Sequence, residues 1–127
     1  MFIGILNESQ QASLLNLARE IAEADGVLHD NETAILDNLK QQISPKATEI
    51  KTGELPDVFD THQSKIALLL ELIGIAFADS DYQSKEKQII DRAAQSLGVS
   101  QELVTKLENW VSRQLSLVRE AYEIMEK

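Results

Sequence analysis

Two short stretches of the chain carry acids in a pattern that could hold a cation. Residues 22–32 read AEADGVLHDNE and residues 76–86 read AFADSDYQSKE, so an Ala-x-Ala-Asp unit occurs twice, each followed seven residues later by a glutamate. The four carboxylates are Asp25, Glu32, Asp79 and Glu86. Glu32 and Glu86 fall where a helix should begin. A carboxylate there is favoured by roughly 0.3–1 kcal/mol and can form the distal half of a capping box, so structure alone accounts for both. Asp25 and Asp79 fall at the end of the preceding helical pattern, where unsatisfied carbonyls oppose an anion by a similar amount. Each aspartate either braces its own turn by accepting nearby amide hydrogens, or joins the others in one cleft. Four carboxylates in a cleft repel, and persist by raising some of their pKa values or by holding a divalent cation. Oxygen-only ligands select a hard ion such as Ca²⁺, Mg²⁺ or Mn²⁺.

The neighbouring residues refine this chemistry little. His29 could add one nitrogen near the first pair, but its position before Asp30 suits a helix cap or the surface, and His62 reads as a first-turn surface residue. Asp81 either assists the second site or is solvated. An EF-hand is rejected, because counting from Asp79 puts Ser84 where the loop needs Gly and Ile90 where it needs a bidentate Glu. Counting from Asp25, Val27 already fails at the third position.

The elements that must position these acids are helical. Period-two alternation is absent, and both prolines and most glycines sit between helical patterns, so the fold class is all-α. A first helix, with Ser9 as its expected N-cap, carries Leu14, Leu17, Ile21 and Ala22 on one stripe and ends near Asp25 and Gly26. A second starts about Asp30 and stops before Ser44 and Pro45, which can open a short helical turn. Residues 48–61 read as a linker whose Leu55, Val58 and Phe59 tuck onto the core. A third helix runs from about His62 to Asp79, capped by Asp60 or Thr61. It is apolar nearly all round, as a central helix should be, and Gly74 should admit a close neighbour. A fourth spans about Ser84 to Leu97, with Gly98 behind it. Ser100 then caps a long last helix, on which Leu103, Val104, Leu107, Trp110, Val111, Leu115, Val118, Tyr122 and Met125 keep the 3.6 period and read as core.

A repeat relates the two acidic stretches. One shift of 54 residues carries Asp25 to Asp79 and Glu32 to Glu86, and also Leu14 to Leu68, Ile21 to Ile75, Ala24 to Ala78 and Asp37 to Asp91. Two helical hairpins therefore share one pattern, and each should complete the other's core across an approximate two-fold axis. The expected architecture is a bundle of two pseudo-repeated hairpins around a central apolar helix, plus a long C-terminal helix, in a single domain over residues 1–127.

The whole chain bounds the function. Its 127 residues favour one domain, and 43% hydrophobic with 26% charged residues is ordinary globular usage. A net charge of -9 and an aromatic fraction of 5% argue against nucleic acid and favour cations or basic partner segments, or simply solubility. With 0 Cys there are no disulfides, thiolate ligands or cysteine nucleophiles. The opening MFIGIL lacks a basic start and a cleavage pattern, and the most apolar stretch, residues 66–78, contains Glu71 and is short for a membrane span. A cytoplasmic location without a direct membrane span is expected. No catalytic triad, phosphate loop or cofactor fingerprint is visible, so an enzyme is not expected. Glu71, in the apolar helix, should face a gap at the edge of the core or pair with a Lys or Arg of the last helix.

The doubled Ala-Asp-x-x-hydrophobic-x-x-x-Glu hairpin, around a central apolar helix in an acidic all-α chain of this size, resembles the TerB-like family of bacterial tellurite-resistance proteins over roughly residues 14–97. The resemblance implies divalent metal binding through the acids at these junctions, with Asp25 and Glu32 as one pair and Asp79 and Glu86 as the other. It implies a metal-linked stress function rather than catalysis. Because the family includes a domain of a membrane-anchored co-chaperone, it also implies a protein partner in a membrane-associated stress complex. Gly26 fits the family's Ala-Asp-Gly, and Ser80 departs from it in the second copy. A helical protein-interaction module in which the acids bind basic segments, without functional metal, is the competing expectation.

Overall fold

The computed structural model describes residues 2–24, 30–49, 53–78 and 84–126, with 30–32, 48 and 49 described by backbone alone. Among the described residues there are six α-helices, two 3-10 turns and no strand, so the all-α expectation holds. The helices are α1 (Glu8–Ala22), α2 (Asp30–Gln42), α3 (Leu55–Val58), α4 (His62–Phe77), α5 (Ser84–Ser96) and α6 (Gln101–Met125), and the 3-10 turns are Ile3–Ile5 and Pro45–Glu49.

The repeat is written into the backbone. The 54-residue shift carries α2 onto α5 end for end (30 to 84, 42 to 96) and the first residue of α1 onto that of α4 (8 to 62). The caps repeat as well. Asn7 caps α1 and exchanges hydrogen bonds of 2.9 Å with Gln10, its side chain accepting from the Gln10 amide while the Gln10 side chain accepts from its own. Thr61 caps α4 and does the same with Ser64 at 3.1 and 3.4 Å. Reciprocal caps of this kind satisfy two of the orphan amides of a helix start. The expected cap Ser9 is instead the second residue of α1, because the Asn-x-x-Gln pair at 7 and 10 supplies a complete capping box and Ser9 does not. α1 ends at Ala22 with Glu23 as its C-cap, and α4 at Phe77 with Ala78, both short of the expected aspartates.

Helix α4 is the centre. It packs on α1, α5, α6 and the Ile3–Ile5 turn, and Leu68, Leu69, Leu72 and Ile73 are fully buried on different sides of it. Each such side chain contributes roughly 1.5–3 kcal/mol of burial. Leu14 of α1 and its repeat mate Leu68 of α4 are both in this core, as are Ala22 and Ala76. Phe59 is fully buried, with Leu55 and Val58 packed partly against the core, as the linker reading required. Gly98 ends α5 with φ +72°, a conformation that glycine adopts without the steric cost of a Cβ.

Two expectations fail. Gly74 admits no close neighbour, since a Cβ built there would meet nothing within 4 Å. It faces a cleft instead. On α6, Val104, Leu107 and Val111 are core, but Val118, Tyr122 and Met125 are exposed, and Trp110 is at the edge of exposure. The 3.6 period continues past the point where the bundle ends, so periodicity alone overstated the core.

Candidate functional site

The repeat sets the acids at matching places, and the described residues hold part of the set. Glu86 is the third residue of α5 and Glu32 the third residue of α2, as expected for first-turn acids. The Glu86 side chain is only 6% exposed. A glutamate this deep is uncommon unless paired, and its seat in the first turn of α5, at the positive end of the helix, is one that favours a carboxylate. Asp25, Asp79, His29 and Asp81 lie outside the described residues, and of Glu32 only the backbone is described. In sequence, Asp79 directly follows Ala78, the C-cap of α4, and Asp25 comes two residues after Glu23, the C-cap of α1. Among the described residues no group of three or more His, Cys, Asp or Glu side chains is placed to hold a metal ion. His62, as expected, is an exposed residue in the first turn of α4.

Between the hairpins runs a cleft that the sequence reading missed. It measures about 180 Å³ and is lined by Ile35, Asn38 and Gln42 of α2, by Glu71 and Gly74 of α4 and by its C-cap Ala78. That is room for several waters. Ile35 lies one turn beyond Glu32, and Ala78 is the residue before Asp79, so one cleft is shared by the middle and last turns of α2 and the end of α4. Glu71 borders it and accepts a hydrogen bond from the Phe2 amide at 2.6 Å, which fits the expected gap at the core's edge. A signal did exist. Asn38 and Gln42 are four residues apart, in line with Ile35, where an uninterrupted helix–helix contact would have called for apolar side chains.

A second charged cluster ties α5 to α6. Lys87, next to Glu86, reaches Glu108 at 3.1 Å and Asp91 at 3.4 Å. Burial works against the ammonium's charge, but hydrogen bonding and attraction from Glu108, with Asp91 adding to it, outweigh burial and raise its pKa above the usual lysine value. The tie is structural: it fixes the helix that carries Glu86 against the last helix.

A family model described as Tellurite resistance protein TerB matches residues 45–109, about half of the chain. The match takes in the linker, α4, α5 and the start of α6, and so contains Asp79 and Glu86, while Asp25 and Glu32 precede it. The copy that departs from the motif at Ser80 is thus the copy that the family model matches. No curated protein and no solved structure matches the chain.

Proposed function

This chain belongs to the family of the tellurite resistance protein TerB, and from that premise we propose that it is a non-catalytic cytoplasmic scaffold that binds a divalent cation, Ca²⁺, Mg²⁺ or Mn²⁺, in tellurite or metal stress. Asp25, Glu32, Asp79 and Glu86 are the ligands. The observation that carries this reading is the cleft between α2 and α4, which both Ile35 and Ala78 line. It brings a residue one turn from Glu32 and the neighbour of Asp79 to one concavity, although they come from different hairpins.

The donor chemistry suits the role. Four carboxylates and no thiolate form a hard, oxygen-only set, and a cation supplies the positive charge that offsets their mutual repulsion. Glu86 sits in the first turn of α5, which Lys87 ties to α6 through Glu108. A cation shared by both hairpins would join them and stabilise the folded chain by mass action, about 2.7 kcal/mol at a hundredfold excess over Kd.

Isothermal titration calorimetry with Ca²⁺, Mg²⁺ and Mn²⁺ tests the proposal. Saturable heat with at least one of these ions, absent in Asp25→Asn and Asp79→Asn, is the expected result. No heat and no thermal stabilisation at millimolar ion would overturn it. The net charge of -9 would then favour the second reading, a co-chaperone-like module whose acidic junctions dock basic segments of a protein partner.

A further inference from the structure

Past the bundle, α6 carries an apolar stripe that its neighbours leave uncovered. Leu117, Val118, Tyr122, Ile124 and Met125 expose between 46% and 76% of their surfaces. Trp110 stands at the border, its ring centroid 5.8 Å from that of Phe2. Along the helix, Trp110, Leu117 and Ile124 recur every seven residues, with Gln114 and Ala121 between them. That spacing is a heptad seam, rotated from the line on which Val104, Leu107 and Val111 face the bundle. An aromatic side chain alone presents on the order of 150–250 Å². The stripe therefore amounts to several hundred Å², the size of the largest patch a monomer ordinarily shows and approaching the roughly 800 Å² per partner of a standard interface.

Charge identifies the occupant. Arg113 and Glu120 are also seven residues apart, and each directly precedes a seam position, Gln114 and Ala121, so both stand on the same edge of the seam. When two identical helices pair antiparallel, this edge faces itself, and Arg113 of each copy meets Glu120 of the other. Parallel pairing turns it toward the opposite edge, where Val111 and Val118 stand. The register that joins Arg113 to Glu120 also sets Trp110 against Ile124 of the second copy and Leu117 against Leu117. We propose that residues 110–125 of α6 pair antiparallel with the same segment of a second copy of this chain, with Leu117 on the two-fold axis. The interface is isologous and self-complementary. It needs no metal and is independent of the acidic junctions.

The test is the mass of the 127-residue chain in EDTA, by sedimentation or by size exclusion with light scattering, over about 5 to 200 μM. The mass should rise from 14.2 kDa toward twice that value. Leu117→Asp with Ile124→Asp should stay monomeric at every concentration with its helical circular dichroism intact, because both side chains are exposed. Arg113→Glu should weaken the dimer about three- to tenfold, and adding Glu120→Arg in the same chain should restore it. A monomer throughout, a dimer that survives the two aspartates, or a failure of Glu120→Arg to restore the pairing would each overturn the proposal.

Discussion

Gln10 and Ser64 enter the core with their hydrogen bonds met, and Ser13 enters without. Gln10 completes the Asn7 cap and donates to the Val58 carbonyl at 3.0 Å, fastening α1 to α3. Ser64 completes the Thr61 cap and donates to the Thr61 carbonyl. The Ser13 hydroxyl finds no partner among the described residues. An unmet buried hydroxyl costs about 1–3 kcal/mol, and alanine is the better helix former. Ser13→Ala should therefore stabilise the fold by about 1 kcal/mol in urea denaturation, whereas Gln10→Ala should cost about 1–3 kcal/mol by stranding two backbone groups. Lys87 carries the pH dependence at this scale. A lysine whose pKa is raised on folding contributes stability that is fully present below its unfolded value of 10.5 and is lost as pH rises through the folded value. Its side chain is 39% exposed, so solvent screening limits the ion pairs to less than about 1 kcal/mol. Lys87→Gln should lower the melting temperature slightly at pH 7, and that difference should shrink above about pH 10.5.

At the scale of elements, the starts of α2, α4, α5 and α6, the order of the five long helices and the repeat were legible in sequence, because caps and glycine stops are local chemistry; the four-residue α3 was not, since it falls inside the stretch that reads as a linker. Thr61, Ser100 and Gly98 each act where their type predicts. At the start of α1 the deciding signal is Gln10, three residues after Asn7, which completes a capping box that Ser9 lacks. What sequence could not reveal depends on where other helices stop. The apolar period of α6 runs on to Met125, but cover ends near Leu115, and periodicity within one helix carries no information about the length of its neighbours. Gly74 is a like case, since a glycine on a central helix can mean either close packing or an open cleft. Because the cleft is open at that point, Gly74→Ala should stabilise the metal-free protein by about 0.5–1 kcal/mol in thermal unfolding. A loss of stability would show that a neighbour does approach there.

The whole molecule is two copies of one hairpin that share a core through α4, with a last helix laid over the second copy. Its candidate site was legible to the extent that two of its four acids could be set on helix starts: Glu32 and Glu86 each stand third in their helix. That the cleft between α2 and α4 takes in both Ile35 and Ala78 depends on cross-repeat packing, which spacing along the chain does not encode. The chain carries -9 overall, and a cation seated where the copies meet would hold together what charge alone pushes apart. The most direct test is a crystal grown with Mn²⁺ and measured for anomalous scattering. A peak is expected where the two Ala-Asp junctions converge, ligated by carboxylate oxygens of both hairpins. No peak there, or Asp25 and Asp79 each turned to its own loop with the junctions apart, would contradict it.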